Sequence, residues 1–251
     1  MSRSMICSLT EIQNLFKGGV NMELLQATEI KRFDNWTALV YSEPGKGKTS
    51  VVKSLTGKTL LFSTDGMYHV LSGLENVTIL VMDSKKPMED LGKFYKYALK
   101  NIDQFDNFVI DNISTFIKFW LNEKANDTKS GMPEIRDYDV VDRVLIDFVA
   151  SMKALKKNTL IFAHEKKVEI TQENGSTYTQ FQPDLRNLDA IMGIIPLVGR
   201  LVMHRNQETN EQERIIVLQP TQATRAKDQL IGNLKTIGQM DLMPLLQNKN
   251  N

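Results

Sequence analysis

Two glycines, two lysines and a threonine lie close together in one short segment, Ser42-Glu43-Pro44-Gly45-Lys46-Gly47-Lys48-Thr49. A glycine-rich loop between a strand and a helix can direct backbone N–H groups at a phosphate. In such a loop Lys48 would neutralise the β- and γ-phosphates of ATP, and the Thr49 hydroxyl would bind Mg²⁺. The segment predicts a nucleotide-binding loop of the Walker A type that includes Ser50, with Ser42 where the pattern has Gly. A basic turn that caps a helix is the alternative.

A second candidate is Asp111, which follows the apolar residues Phe108-Val109-Ile110. Mg²⁺ beside a phosphate loop needs a carboxylate, and the end of an adjacent buried strand would supply it. Asp111 is therefore predicted as the Walker B metal ligand together with Thr49. A cap of the following helix is the alternative.

Hydrolysis would also need a group that orients or activates water. Asp65 follows the predicted strand 59–63 and is the best-placed carboxylate for that task, although an Asp-Gly turn would have the same sequence. His164 ends the strand after Walker B, where it would sense the γ-phosphate or be a buried, hydrogen-bonded histidine.

These residues need a scaffold that brings several strand ends to one edge. Short apolar runs alternate with amphipathic helical patterns after residue 22, as in βαβ units around a mainly parallel sheet. Strands are predicted at 37–41, 59–63, 77–82, 108–111 and 159–163. Helices are predicted at 48–55, 88–102, 113–121 and 141–155.

The pattern changes after Lys167 to two strand pairs. Segments 168–171 and 177–181 flank Glu173-Asn174-Gly175, and Asn-Gly is typical of the positive-φ turn of a β-hairpin. Segments 197–203 and 214–218 are predicted as the second pair. The predicted fold class is thus α/β, with a mainly parallel sheet, flanking helices and C-terminal hairpins.

Composition narrows the class of protein. The chain has 251 residues, of which 41% are hydrophobic and 24% charged, and this excludes disordered and collagenous proteins. Its net charge of +1 means that a nucleic acid would have to bind a local basic surface. The lone Cys7 cannot form an internal disulfide, so an intracellular location is expected. No apolar run approaches ~18 residues, so no membrane contact is expected.

Five segments together resemble the phage nucleotide-binding proteins of RecA-like fold, including the Sak-type single-strand annealing ATPases. They are the phosphate loop, Thr64-Asp65-Gly66, Val109-Ile110-Asp111-Asn112, Glu134-Ile135-Arg136-Asp137-Tyr138 and Asn158-Thr159-Leu160-Ile161-Phe162-Ala163-His164-Glu165. The resemblance covers about residues 34–230. It implies an ATP-binding RecA-like core in the bacterial cytoplasm, a homo-oligomeric ring or filament, and single-stranded DNA binding beside a phage single-strand binding protein. That group usually has Glu where this chain has Asp65, which implies weak ATPase activity.

The resemblance also implies where DNA and a neighbouring subunit would act. Single-stranded DNA would contact loops at 122–138 and 165–188. The second loop contains basic and aromatic residues suited to phosphates and bases, although a solvated hairpin would have them too: Lys166, Lys167, Tyr178, Phe181 and Arg186. A cation from the neighbouring protomer, Arg225 or Lys227, would complete the ATP site. A solvated helix start is the alternative for these two residues.

The predicted organisation is an N-terminal extension at 1–33, an ATP-binding domain at 34–232 and a tail at 233–251. Lys17-Gly18-Gly19-Val20-Asn21-Met22 is what a ribosome-binding site would encode, so residues 1–21 are interpreted as upstream translation or, alternatively, as containing a short helix. The leading functional hypothesis is an ATP-dependent recombination protein that binds and anneals single-stranded DNA. A P-loop small-molecule kinase and a non-hydrolysing assembly module are the alternatives.

Overall fold

Ten strands form the sheet of this computed structural model, which describes residues 26–30, 34–207 and 210–248. The strands are β1 Thr37–Ser42, β2 Thr59–Ser63, β3 Val77–Val81, β4 Asn107–Asp111, β5 Asn158–Thr171, β6 Thr177–Pro183, β7 Leu197–Arg205, β8 Gln212–Val217, β9 Lys227–Asp228 and β10 Thr236–Gly238. Their main order is β10-β8-β7-β1-β5-β4-β2-β3, with β6 beside β5 and β9 beside β7. The six strands from β7 to β3 are mutually parallel, which confirms the predicted α/β class.

Five α-helices accompany the sheet in the described residues. They are α1 Pro87–Lys100, α2 Ile113–Asn126, α3 Ile135–Ala154, α4 Leu188–Ile194 and α5 Leu242–Gln247. Short 3₁₀ helices span Ala27–Glu29, Thr49–Ser54, His69–Leu71 and Ile102–Gln104. None of the described helices is long and apolar enough to cross a membrane.

Alternating strand residues build a separate core on each side of the sheet. Leu39 and Tyr41 of β1 point towards the cluster that contains the apolar stripes of α1, α2 and α3. Ala38 and Val40 point to the opposite side, where the 3₁₀ helix Thr49–Ser54 and α5 pack. Strands β1, β2 and β4 are buried along their whole length because both faces of the sheet are covered there.

Four sequence expectations need correction. The segment predicted as a helix after the phosphate loop is the 3₁₀ helix Thr49–Ser54. Strand β4 does not lie beside β1, because β5 runs between them. His164 does not end its strand: β5 continues to Thr171 and forms the predicted hairpin with β6. The segment predicted as a tail contains β10 and α5, whose Leu242, Met243 and Leu246 are fully buried.

The proposed start at Met22 and the alternative N-terminal helix lie outside the described residues. The segments predicted as DNA-binding loops are largely regular structure. Residues 122–138 include the end of α2 and the start of α3, and residues 165–183 form most of the β5–β6 hairpin. The second strand pair is confirmed as antiparallel β7 and β8.

Candidate nucleotide-binding site

The phosphate loop connects β1 to the 3₁₀ helix Thr49–Ser54. Gly45 and Gly47 adopt φ values of 77° and 97°, which L side chains rarely adopt. Ser42 needs no such freedom, because it is still part of β1 and pairs with His164 of β5. Glycine is therefore required at two points of the turn, and the serine at its start fits an extended backbone.

Lys48 turns back over the start of the loop. Its Nζ donates hydrogen bonds to the carbonyl oxygen of Ser42 at 3.0 Å, to the Ser42 Oγ at 3.1 Å and to the carbonyl oxygen of Glu43 at 3.2 Å. Burial lowers the pKa of Lys48, and the negative charges of Asp111, Asp65 and Glu165 oppose that shift. The ammonium thus lies among carbonyl groups that phosphate oxygens could replace as acceptors.

Asp111 and Thr49 meet although β4, which ends at Asp111, is not a neighbour of β1, which leads into the phosphate loop. The Thr49 hydroxyl donates to Asp111 Oδ2 at 2.6 Å, and the carboxylate reaches it from the end of β4, across β5. Burial raises the pKa of Asp111 to about 6; the Asp65 charge adds to this effect, whereas the Thr49 hydrogen bond and Lys48 oppose it.

These two side chains suit Mg²⁺. Among the described residues, Thr49 is the only hydrogen-bond donor to the buried Asp111 carboxylate, which keeps lone pairs that a cation could use. No group of three or more acidic, histidine or cysteine residues in the described ranges could hold a metal alone. Mg²⁺ typically binds through one or two protein ligands, waters and substrate phosphates, and this donor set fits that pattern.

Asp65 is held at the same strand edge by Asn112, which follows β4, and by Met67 of its own turn. Asn112 Nδ2 donates to Asp65 Oδ2 at 2.9 Å, and the Met67 N–H donates to Asp65 Oδ1 at 3.0 Å. Thr64 fixes the two strand ends, since its Oγ accepts from the Asn112 N–H at 2.9 Å and donates to the Asn112 carbonyl at 2.8 Å. Asp65 therefore has a defined orientation beside Asp111.

His164 is half-buried between the strand edge and helix α2. Its Nε2 is 3.2 Å from Thr115 Oγ, whereas its buried Nδ1 has no hydrogen-bond partner among the described residues. Burial lowers the pKa of His164, and the positive charges of Lys48 and Lys118 lower it further. The lowered pKa favours the neutral imidazole, and the role of His164 as a γ-phosphate sensor stays a prediction.

A buried ion pair follows directly on β5. Arg200 of β7 binds Glu165 through two hydrogen bonds, Nε to Oε2 at 2.8 Å and Nη2 to Oε1 at 3.2 Å. The Glu165 side chain is only 2% exposed, and the guanidinium also stacks 3.6 Å from the Phe181 ring centroid. Sequence reasoning missed this pair, although a charge inside the apolar run Leu197-Val198-Gly199-Arg200-Leu201 signals a buried partner.

The hairpin contacts the phosphate loop directly. Lys167 Nζ lies 3.0 Å from Glu43 Oε1 and 5.7 Å from the Phe181 ring centroid. Arg186 is also engaged, since its Nε lies 3.4 Å from Asp142 and its guanidinium lies 4.6 Å from the Tyr138 ring. Of the residues predicted to bind DNA, exposed Lys166 and half-buried Tyr178 are on the opposite hairpin face from Lys167, given the strand alternation.

Arg225 and Lys227 bind groups of their own chain. Arg225 forms an ion pair with Asp189, and Lys227 Nζ donates to the carbonyl oxygens of Met192 at 2.7 Å and Gly193 at 3.2 Å. Burial lowers the pKa of Lys227, as does the charge of Lys153. Both cations support α4 in this chain, and their action on a neighbouring subunit stays a prediction.

The C-terminal strands complete the surroundings of the loop. Gln239 Nε2 donates to the Gly47 carbonyl at 2.6 Å, and the Arg214 side chain lies against the same glycine. Sequence reasoning missed both residues, because neither belongs to a motif and the loop lies about 190 residues before Gln239.

Comparison with known proteins identifies the region that carries the site. A family model described as an AAA domain matches residues 34–230 of the chain. No curated protein matches it.

Proposed function

The chain belongs to the AAA domain family, and on that basis we propose that it binds ATP with Mg²⁺ and hydrolyses it. Domains of this family generally bind both. The observation that carries the proposal is the hydrogen bond between Thr49 and Asp111 beside Lys48, which brings the predicted metal ligands together next to the predicted phosphate-binding cation. These residues lie at the carboxyl ends of parallel strands, where ligands bind in open α/β sheets.

Each residue of the site has a distinct task in this proposal. Lys48 exchanges its carbonyl acceptors for phosphate oxygens, and loop N–H groups hold the same phosphates. Thr49 and Asp111 hold Mg²⁺, which when bound neutralises charge that develops on the phosphates. Asp65, oriented by Asn112, accepts a hydrogen bond from the attacking water. Neutral His164 offers a hydrogen bond to the γ-phosphate from the neighbouring strand.

Hydrolysis is tested by phosphate release from ATP with and without Mg²⁺. We expect Mg²⁺-dependent release that Asp65→Asn reduces at least about tenfold, because an amide is a poor acceptor for a proton of the attacking water. ATP affinity should be kept, because Asp65 is not among the residues proposed to hold the phosphates or Mg²⁺. Asp65→Glu provides the matched carboxylate control. Equal rates for wild type and Asp65→Asn would contradict the assigned role of Asp65.

One observation favours the non-hydrolysing alternative. Both Asp65 oxygens already accept hydrogen bonds, from Asn112 and from the Met67 N–H, so this carboxylate resembles an anchored turn. In that case ATP would stabilise assembly without turnover. ATP binding with no phosphate release in the presence of Mg²⁺ and single-stranded DNA would favour this function.

We also propose that the β5–β6 hairpin binds single-stranded DNA, as part of annealing during phage recombination. Lys166 and Tyr178 supply a cation and an aromatic ring on one face, a combination suited to phosphates and stacked bases. The opposite face contacts the phosphate loop through Lys167, which gives the nucleotide a route to influence DNA binding.

DNA binding is tested by fluorescence anisotropy with a labelled oligonucleotide at several salt concentrations. Lys166→Ala should weaken binding and reduce the slope of log affinity against log salt by about 0.7, as for one lost phosphate contact. Lys100→Ala, an exposed lysine at the end of α1, is the matched control. An unchanged slope in Lys166→Ala would remove this hairpin face from the DNA site. Strand annealing is measured separately, with complementary oligonucleotides.

A further inference from the structure

An arginine of the C-terminal strands lies on the phosphate loop. If residue 47 had a Cβ atom, Arg214 Nε would lie 3.3 Å from it and Arg214 Cδ 3.4 Å. Gln239 Nε2 would lie 2.9 Å from the same position. The Gln239 N–H donates to the Arg214 carbonyl at 2.9 Å, so pairing around β8 and β10 holds both residues beside Gly47.

Strand alternation explains why Arg214 reaches the loop. Ile216, two residues further along β8, is fully buried in the core that contains the 3₁₀ helix Thr49–Ser54. Arg214 is on the same face as Ile216, one step beyond the apolar core. The strand thus directs a cation to the side of the sheet on which the phosphate loop continues.

Arg214 also has no acidic partner in the ranges 26–30, 34–207 and 210–248. Other arginines beside the sheet do have one: Arg200 pairs with Glu165, and Arg225 pairs with Asp189. The Arg214 side chain is exposed, and a guanidinium is always charged and presents five N–H donors. Its donors are therefore available to an anion at the loop.

We propose that Arg214 binds the phosphate groups of the nucleotide in the loop, as a second cation from the same chain. This inference rests on the proposed ATP binding. Loop N–H groups hold phosphates at hydrogen-bond distance, and Arg214 Nε lies 3.3 Å from the position that a Cβ atom of residue 47 would take, so the guanidinium is beside the loop. Arginine and phosphate form paired, charge-assisted hydrogen bonds. Gln239 acts as a positioning residue, because it holds the Gly47 carbonyl.

The experiment measures displacement of a fluorescent ATP analogue from the full chain by ATP and by inorganic tripolyphosphate. Arg214→Gln keeps a long side chain against Gly47 and removes the charge. The variant should bind ATP and tripolyphosphate more weakly by the same factor, about 10- to 100-fold, as expected for the loss of a hydrogen bond to a charged group. Arg214→Lys should recover part of this loss.

Arg205→Ala is the matched control. Arg205 is exposed on the same face of the β7–β8 hairpin, opposite Gln212 and farther from the loop, so it tests the general effect of one positive charge. We expect a change of less than about twofold, because exposed charges at a distance are screened. Circular dichroism confirms that each variant is folded.

Two results would overturn the inference while leaving ATP binding intact. One is an Arg214→Gln protein that binds ATP no more weakly than Arg205→Ala. The other is a loss of ATP affinity without loss of tripolyphosphate affinity, which would mean that Arg214 contacts the base. Failure of the wild type to bind ATP would overturn the proposed function itself, and the inference with it.

Discussion

The two halves of strand β5 differ in almost every respect. Residues 159–163 are buried between two parallel neighbours, β1 and β4. Residues 165–171 pair antiparallel with β6 and are largely exposed or half-buried. The first half fixes the positions of the strands that carry the phosphate loop and Asp111. The second half extends a hairpin to solvent, where a macromolecular ligand could reach it.

The polar residues of the site lie where one half gives way to the other. His164 faces the strand edge, Glu165 binds Arg200, and Lys167 reaches Glu43 of the phosphate loop. A strand that is continuous across this change connects a nucleotide site to a hairpin without any intervening loop. We therefore expect large losses of stability from changes at the buried Glu165–Arg200 ion pair, and small losses from changes at the exposed Lys167–Glu43 contact.

Arg200→Ala should have the largest effect. It leaves the Glu165 carboxylate buried without its cation, which typically costs about 3–5 kcal/mol of unfolding free energy. Urea denaturation measures the loss. Arg200→Lys keeps the charge but not the bidentate hydrogen bonds to Glu165, so it should lose less stability than Arg200→Ala. A change below about 1 kcal/mol in the unfolding free energy of Arg200→Ala would show that the two halves of β5 do not depend on the Glu165–Arg200 ion pair.

Lys48→Ala should weaken ATP binding by about 100-fold or more, since two charge-assisted contacts to phosphates are lost. Isothermal titration calorimetry measures the affinity. Lys46→Ala is the matched control, because the Lys46 side chain is half-buried and only weakly paired with Glu43 at 3.8 Å. Equal ATP affinity in wild type and Lys48→Ala would refute the phosphate-loop assignment.

Asp111→Asn should stabilise the nucleotide-free protein at pH 8 and abolish Mg²⁺-dependent hydrolysis. Folding raises the pKa of Asp111 from 3.8 to about 6, so the folded protein holds a proton that the unfolded chain loses. The wild type therefore loses stability as pH rises from about 4 to about 6, and Asp111→Asn should avoid this loss of about 1–3 kcal/mol.

Thermal unfolding of both proteins across this pH range checks the sign. The same pKa means that Mg²⁺ should enhance ATP binding less below pH 6, where Asp111 is protonated. A wild type whose stability relative to Asp111→Asn does not change with pH would contradict the proposed protonation.

The smallest effect is expected at the exposed contact between the hairpin and the loop. The Lys167 and Glu43 side chains are 59% and 43% exposed, so their interaction should be below about 1 kcal/mol and should weaken with salt. A double-mutant cycle with Lys167→Ala and Glu43→Ala measures it by urea denaturation. A larger coupling energy would mean that the Lys167–Glu43 contact holds the hairpin to the loop more firmly than an exposed ion pair does.

Much of the local structure could be predicted from the sequence. Strand β2 matches its prediction residue for residue, because a short apolar run between polar turns has one reasonable interpretation. The hairpin was also predicted, since Asn174-Gly175 suits a positive φ, and Gly175 has a φ of 81°. Local patterns of this kind depend only on neighbouring residues.

Long-range placement could not be predicted in this way. Nothing in the segments 159–163 and 168–171 reveals that they are one strand, or that β5 separates β1 from β4. The contacts of Gln239 with Gly47 and of Glu165 with Arg200 join residues far apart in sequence, and single-sequence patterns do not contain them. The candidate ligands were predictable by type, whereas the residues that support them were not.

The position of α5 and Gln239 late in the sequence affects when their contacts with the phosphate loop can form during synthesis. The 3₁₀ helix after the phosphate loop packs against α5, and Gln247 holds Thr56 through both its N–H and its carbonyl group. These partners are translated about 200 residues after Lys48, which takes roughly 10–40 s at ordinary ribosomal rates. A growing chain therefore carries the phosphate loop without these contacts until residues 239–247 have been synthesised.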